Sequence, residues 1–212
     1  MPRGRPREFD PDKVLDLAVH AFWRRGFRAT SLNELARELG IEKPSLYAAF
    51  GNKEQLFLKA LERYAAGFEL RAIATLEKAP AGKAAVAALL SAFAEQLSDP
   101  KAPAGCLIAN CAAECRESSE AISQAVATSL GTMEVALAKR LKRAQKEREL
   151  PASEDPRSLA RYFAAVIQGM VSLSRAKRDP KGLKQIVRIA LRAWPGRVSS
   201  RSGKRFAIDY EV

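Results

Sequence analysis

The stretch from Phe27 to Ala60 contains the clearest helix start and stop signals in the chain. Ser31 and Glu34 have the Ser-x-x-Glu spacing of a capping box, which predicts that a helix begins there. Gly40 has the backbone freedom needed to end that helix in a tight turn. Between these signals lies one apolar face, which consists of Leu32, Leu35, Ala36 and Leu39. The pattern therefore predicts a short helix followed by a sharp turn.

A second short helix follows the turn. Ile41 returns the chain to the core, and the helix opens near Glu42, because Pro44 is tolerated only in a first helical turn. A helix of this length is not stable alone, so we expect Leu46 and Phe50 to pack inward and hold it. The remaining faces would then be exposed, and they carry Lys43, Ser45, Tyr47, Ala48 and Ala49.

Asn52 and Gln55 repeat the capping pattern and predict the start of a third helix. Its first residue, Lys53, lies where free backbone N–H groups and the helix dipole favour a phosphate. Short helices joined by a tight turn, with one exposed face, are typical of a helix-turn-helix that binds DNA.

Residues 11 to 60 resemble the DNA-binding domain of the tetracycline-repressor (TetR) family of bacterial transcription factors. The resemblance rests on the T-S-x-x-x-L-A-x-x-L-G-I run from residue 30, on P-S-L-Y from residue 44 and on F-x-N-K-E-x-L-F from residue 50. It implies that Tyr47 contacts a phosphate and that Lys53 contacts the DNA backbone. Many relatives carry His or Trp where this chain has Ala48 and Ala49, so the operator sequence stays open.

The DNA contacts predicted from these patterns form one set. Its members are Thr30, Ser31, Asn33, Lys43, Pro44, Ser45, Tyr47 and Lys53, together with Arg3 and Arg5 of the N-terminal arm. By the resemblance, the residues at 43 to 45 face bases, and we expect those at 30, 47 and 53 to hold phosphates. The alternatives are a packed aromatic ring for Tyr47 and a solvated side chain for Lys43.

Both ends of the chain are basic. Residues 1–10 form a flexible arm whose arginines would enter a narrow minor groove, or would act only as a solubilising tail. Residues 197–212 form a second basic tail, for which we expect nonspecific solvation. The formal net charge is +12 over 212 residues, and much of the excess lies towards the C-terminus, so charge alone does not locate the DNA-binding helix.

The length allows two domains, which we place at residues 11–60 and 61–196. No apolar run reaches 18 residues and the N-terminus has no signal-peptide pattern, so we expect a cytoplasmic protein without a membrane partner. The three cysteines are an odd number and favour reduced thiols over a disulfide framework.

Beyond residue 60 the chain is predicted to be entirely helical, so the fold class is all-α. Asp-Pro pairs mark helix starts, because Asp caps and Pro has no N–H to satisfy; these pairs are Asp10-Pro11, Asp155-Pro156 and Asp179-Pro180. Other helices are predicted over residues 55–76, 82–97, 105–116 and 122–141, with a loop over 147–155.

The last two helices carry apolar stripes that are too wide to bury in one domain. We expect part of each stripe to form a two-fold four-helix interface with a second copy of the chain. The predicted interface residues are Tyr162, Val166, Gly169, Ile186, Ile189 and Ala190, with Trp194 beside them. The alternative is that both stripes are core of one chain. The family resemblance favours the dimer, since its members dimerise through their last two helices.

The segment from Pro103 to Cys115 contains all three cysteines. At about 100° per residue, Cys111 and Cys115 share a helix face whereas Cys106 lies on the other side, so one helix cannot direct all three at a metal. His20, the only histidine, belongs to the first helix. We therefore expect no metal site, no cofactor and no cysteine–histidine nucleophile pair.

The same segment is similar to a G-C-L-hydrophobic-x-N element of some TetR-type regulators, where it borders the effector pocket. Some of those relatives sense electrophiles or oxidants through a thiol, and others bind ligands without thiol chemistry. Cys106 is therefore either a sensor or an inert buried thiol. Asn110 and Glu114 are expected to face a ligand cavity or solvent. The predicted pocket comprises Cys106, Asn110, Cys111, Glu114, Met133, Phe163 and Met170.

These observations favour a homodimeric regulator, most simply a repressor released from a palindromic operator by a small-molecule or oxidant effector. An architectural DNA-binding protein without an effector is the alternative, and it would show weak sequence preference and a steep salt dependence. An enzyme with a cysteine nucleophile is a third possibility, disfavoured because no base lies near the thiols in sequence.

Overall fold

The computed structural model describes residues 9–114 and 119–195. Every regular element in these ranges is a helix, which confirms the all-α fold class. In chain order the helices are α1 (Pro11–Ala29), α2 (Leu32–Leu39), α3 (Lys43–Phe50), α4 (Lys53–Lys78), α5 (Gly82–Ser98), α6 (Leu107–Glu114), α7 (Glu120–Lys146), α8 (Pro156–Ala176) and α9 (Pro180–Ala190), with a 3₁₀ turn at Leu191–Ala193. No helix within the described ranges is long and apolar enough to cross a bilayer.

The helix starts follow the capping signals. Asp10, Asp155 and Asp179 each accept backbone N–H groups of the turn that they open, which confirms the three Asp-Pro predictions. Asn52 and Gln55 form the reciprocal capping box. Ser31 accepts the N–H of Glu34. Each cap satisfies donors that the helix itself leaves free, and so it sets where the helix begins.

A first core joins α1, α2, α3 and the start of α4. Phe22, Leu35 and Phe57 are fully buried there, and the rings of Phe22 and Phe57 meet edge to face with centroids 4.8 Å apart. Burial of such side chains contributes about 1.5–3 kcal/mol each. The predicted anchors of the second short helix are confirmed, since Leu46 and Phe50 are 1% and 6% exposed.

The helix α4 belongs to both halves of the molecule. It runs without a break across the boundary expected at residue 60, and it packs on α1 at one end and on α5 and α7 further along. Arg63 ties α4 to α1 through Asp16, at 3.0 Å from Nε, and through Asp12, at 3.2 Å from Nη1. The two halves therefore share one continuous helix, α4.

The second half of the molecule is a packed set of helices in which α7 lies along α8 and α5 lies against α9. The helix α6 packs on α1 as well as on α7, so it connects the second half directly to the first helix. The helix expected over residues 105–116 begins later, at Leu107, because Gly105 has a left-handed backbone (φ 75°) and forms the turn before it. Residue 116 lies outside the described ranges.

Candidate nucleic-acid interface

The helix α3 presents an exposed polar face above its buried anchors. Lys43, Ser45 and Tyr47 are all exposed, and the Tyr47 side chain has 42% of its surface free. The Nζ atom of Lys43 lies 5.9 Å from the centroid of the Tyr47 ring, a cation–π distance. The exposure of Tyr47 removes the alternative of a packed aromatic. A short helix with such a face fits a major groove.

A groove of about 520 Å³ runs between α2 and α3. It brings together Asn33, Lys43 and Ser45 from the predicted contact set. It also includes Arg37, which the sequence patterns did not single out although it lies four residues after Asn33 and so on the same face of α2. The Nε of Arg37 donates to the Asn33 carbonyl at 3.4 Å, and its side chain is exposed.

Thr30 does not belong to this surface. It is 1% exposed, and its hydroxyl donates to the Gly26 carbonyl at 2.7 Å. Gly26 interrupts α1 with a left-handed backbone (φ 83°), and the Thr30 hydroxyl satisfies the carbonyl at that kink. The expectation that Thr30 holds a phosphate therefore conflicts with the structure, and we remove it from the contact set.

Lys53 and Ser31 already have protein partners. The Nζ of Lys53 donates to the Arg28 carbonyl at 3.3 Å and lies 4.5 Å from the Phe27 ring centroid, and partial burial lowers its pKa. Ser31 is exposed but uses its hydroxyl as the cap of α2. Pro44 is exposed in the first turn of α3. Arg3 and Arg5 lie outside the described residues.

The glycine and asparagine of the cysteine segment form a turn rather than a ligand site. Asn110 is 8% exposed, and its Nδ2 donates to the Ala104 carbonyl at 3.1 Å. A Cβ on residue 105 would lie 2.6 Å from the Asn110 Oδ1, so the position of the Asn110 side chain requires a glycine there. The expectation that Asn110 faces a ligand or solvent is therefore wrong, because its amide holds the entry to α6. The side chain of Glu114 lies outside the described part of the chain.

The cysteines differ in state. Cys106 is a buried free thiol, and its sulfur accepts the Tyr64 hydroxyl at 3.5 Å. Burial, and then the neighbouring Cys106, raise the pKa of Tyr64. Cys111 is disulfide-bonded, so the expectation of reduced thiols is wrong for that residue. Cys115 lies outside the described residues. Within the described ranges, no three His, Cys, Asp or Glu side chains form a metal-binding group.

The rest of the predicted pocket is closed core. Met133 is 9% exposed, and Phe163 and Met170 are fully buried. Five clefts among the described residues are lined by other side chains. The predicted residues do lie in one part of the fold, but there they fill the space between helices.

The last two helices leave an apolar surface uncovered. Tyr162 on α8 and Ile189 on α9 are 40% and 57% exposed. Val166 and Ile186 are half-buried, and a side chain placed at Gly169 would meet nothing within 4 Å. Two residues behave differently. Ala190 and Trp194 are buried at 3% and 8% in the single chain, so they belong to its own core and not to an outer face.

Helices α1 to α3 form a small DNA-binding head, in which the exposed α3 is the recognition helix. The helix α4 joins this head to a larger helical domain. This arrangement defines the class of two-domain helix-turn-helix DNA-binding regulators. Two family models match the chain. Residues 14–60 match the model of bacterial regulatory proteins of the tetR family, and residues 82–190 match the tetracyclin repressor-like C-terminal domain. The chain belongs to the TetR family of transcriptional regulators. Members of this family are regulators, so the chain is not an enzyme.

Individual relatives agree with this assignment. The chain is 35% identical over 196 residues to the HTH-type transcriptional repressor ComR of Escherichia coli (strain K12), a match that covers 91% of this chain and 92% of ComR. It is similar to the TetR family regulator CifR, solved as a cysteine mutant complexed with a 26-base-pair double-strand operator DNA (34% identity, TM-score 0.86, 91% of this chain and 100% of that one). The reduced form of E. coli NemR, at 22% identity and a TM-score of 0.79, shares the fold.

Proposed function

We propose that this regulator is a cytoplasmic homodimeric repressor that leaves a palindromic operator when a small molecule, or an oxidant or electrophile, acts on its second domain. ComR is named a repressor, and CifR was solved on operator DNA. The observation that carries the proposal is the exposed face of α3, where Lys43, Ser45 and Tyr47 stand above the buried Leu46 and Phe50.

In the proposed complex, α3 enters the major groove. Lys43 and Ser45 reach base edges, since Lys suits guanine acceptors and Ser pairs with either kind of edge. Tyr47 holds a phosphate, and Arg37 adds a second phosphate contact from α2. Ser31, Asn33 and Pro44 lie around this face, and Lys53 would have to leave its partner, the Arg28 carbonyl, to take part.

The uncovered face of α8 and α9 supports a dimer. Exposed apolar side chains such as Tyr162 and Ile189 are costly in water and mark an interaction surface when they cluster. The open space at Gly169 allows a second backbone to approach closely. A two-fold axis at this face would present two α3 helices to half-sites one helical turn apart, about 34 Å.

Three contacts could carry a signal from the second domain to the DNA-binding head. The Ser119 hydroxyl at the start of α7 donates to the Glu54 carboxylate in the first turn of α4, at 2.7 Å. The Tyr64 hydroxyl on α4 donates to Cys106. The helix α6 packs on α1. An effector that moves α6 or the start of α7 would therefore displace the helices that hold α3.

The test is a footprint on the DNA upstream of the chain's own gene, followed by titrations of the protected site. Lys43→Ala should weaken binding about five- to 150-fold, as expected for a lost base contact of about 1–3 kcal/mol. Lys83→Ala removes the same charge from an exposed position on α5 and should change affinity little. Protection without sequence preference, with equal loss in both variants, would support the architectural alternative instead.

The effector chemistry has its own experiment. Gel shifts with and without diamide or hypochlorite are compared for the wild type and Cys106→Ser. A thiol sensor at Cys106 predicts release of the wild type only. Equal release of both proteins removes the Cys106 version and leaves a small-molecule effector or another thiol.

A further inference from the structure

A cleft of about 560 Å³ lies between the second half of α4 and the middle of α7. Its walls carry apolar side chains and a group of basic residues, which include Ile73, Val135, Ala136, Lys139, Arg140 and Arg143. The volume is in the ordinary range of small-molecule sites. None of these residues belongs to the pocket expected from the cysteine segment.

Arg140 is the unusual member of this group, because its side chain is only 3% exposed and its hydrogen-bond donors are only partly satisfied. Its Nε donates to the Leu76 carbonyl at 3.1 Å and its Nη2 to the Ala79 carbonyl at 3.4 Å, so it closes the C-terminal end of α4. Its Nη1 is buried and has no hydrogen-bond acceptor among the described residues. Buried charged donors without an acceptor are rare, since losing water without gaining a partner is unfavourable.

The nearest carboxylate does not supply the missing acceptor. The Oε2 of Glu147 lies 3.6 Å from Nη1, which is an ion-pair distance but longer than a hydrogen bond, whereas its Oε1 accepts from the Nε of Arg143 at 2.7 Å. Glu77 pairs with Lys139 at 3.7 Å, and both of these side chains are largely exposed. The three cations Lys139, Arg140 and Arg143 thus face the two carboxylates of Glu77 and Glu147. One positive charge is left over beside the Nη1 donor of Arg140.

Apart from Glu77 and Thr132, the rest of the cleft is apolar. Val135 is 68% exposed, and Ile73 and Ala136 are half-buried beside it. A second cleft, of about 750 Å³ and mainly apolar, lies further along the same pair of helices and shares Thr132 with the first. The two together form a trough along α4 and α7 with its basic group at one end.

We propose that this trough binds an amphipathic monocarboxylate, with the class of medium-chain fatty acids as its simplest form. The ligand carboxylate replaces that of Glu147 as the partner of Arg140 Nη1 and Arg143, and the alkyl chain lies on Ile73 and Val135. One excess positive charge suits one carboxylate. A phosphate dianion would lack charge partners, and a polar ligand would leave the apolar walls in water.

Ligand binding at the trough is independent of the proposed function, but an effect of the ligand on operator binding rests on the proposed function. The helix α4 begins beside α3 and ends at Arg140, so a ligand wedged between α4 and α7 acts on the element that both halves share. A ligand changes operator affinity only by the ratio of its affinities for the two states.

The test is isothermal titration of the full-length chain with sodium decanoate below its micellar concentration. Decan-1-ol and decyltrimethylammonium are the matched ligands, with the same tail and no carboxylate. We expect saturable binding of one decanoate per chain and at least tenfold weaker binding of both controls. No binding of decanoate, or equal binding of the alcohol, overturns the proposal.

Variants locate the site. Arg143→Gln should weaken decanoate binding about tenfold, the size expected for one charge-assisted contact. Glu147→Gln should strengthen binding, because the competing carboxylate is gone. Val135→Glu should abolish binding, whereas Ala127→Glu, a change at another exposed position on α7, should not. Thermal unfolding without ligand checks that each variant folds. If all four variants bind as the wild type does, decanoate binds elsewhere and the assignment is wrong.

Operator binding of the ligand-free wild type is measured in parallel. An intact footprint without decanoate binding rejects this inference alone. Decanoate binding without any specific footprint supports the trough and rejects the proposed function.

Discussion

Asn110 provides the most direct test of the local structure around the cysteine segment. The sequence pattern suggests a ligand-facing asparagine, whereas the structure uses its amide to hold the Ala104 carbonyl. Replacing it with alanine removes that hydrogen bond at a site that is 8% exposed, and so leaves the carbonyl without its partner. We therefore expect Asn110→Ala to destabilise the free protein even when no effector is present.

The size of the effect follows from two contributions. Loss of the hydrogen bond costs about 1 kcal/mol, and leaving the Ala104 carbonyl without a hydrogen-bond donor costs about 1 kcal/mol or more in addition. The sum is about 2 kcal/mol, which for a chain of this length lowers the melting temperature by roughly 4–8 °C. Asn33→Ala is the matched control, because Asn33 is exposed on α2 and such changes stay within about 0.5 kcal/mol.

The assay is urea unfolding of both variants, followed by a double-mutant cycle with Gly105→Ala. A Cβ at Gly105 collides with the Asn110 side chain, so the cost of Gly105→Ala should fall when Asn110 is already alanine. The strain of the left-handed backbone (φ 75°) should remain in both backgrounds. A change below about 0.5 kcal/mol for Asn110→Ala, or additive effects of the two changes, would refute the structural role.

Three further predictions concern the dimer, the contact between the two halves and the acid limit of stability. Ile189→Glu should convert the dimer to a monomer at micromolar concentration in light-scattering chromatography. Leu70→Glu, a change at another exposed apolar position, on α4, should not. A wild type that is already monomeric contradicts the interface. Ser119→Ala should lower the free energy of unfolding by about 1 kcal/mol, because the hydrogen bond from its hydroxyl to Glu54 is lost. Ser153→Ala, at an exposed position, is the control. An unchanged urea midpoint for Ser119→Ala would contradict this role. Hydrogen bonds from the Ser158 hydroxyl and from the backbone lower the pKa of Asp155, so its contribution to stability is present above the unfolded pKa and is lost as the pH falls through the lower folded pKa. The difference in unfolding free energy between the wild type and Asp155→Ala should therefore shrink below about pH 4. A difference that stays constant with pH would exclude this origin.

Local signals in the sequence determined the helical elements and much of the DNA-binding head. Asp10, Asp155 and Asp179 cap helices where the Asp-Pro pairs predict them, and Leu46 and Phe50 are the anchors that the short second helix required. Caps and apolar periodicity act over three or four residues, so they are readable without knowing what lies across the core.

The tertiary structure decided which partners each side chain meets. Thr30 and Ala190 both lie where a pattern of neighbours suggested an outer surface, yet the kink at Gly26 turns one inward and the packing of the single chain covers the other. Arg140 lies on a long amphipathic helix and looks in sequence like any solvated arginine. The C-terminal end of α4, more than 60 residues earlier in the chain, packs against Arg140 and accepts its hydrogen bonds, while one of its nitrogens has no hydrogen-bond acceptor among the residues that the structure describes. Contacts between distant segments depend on how helices pack, and no local spacing encodes them.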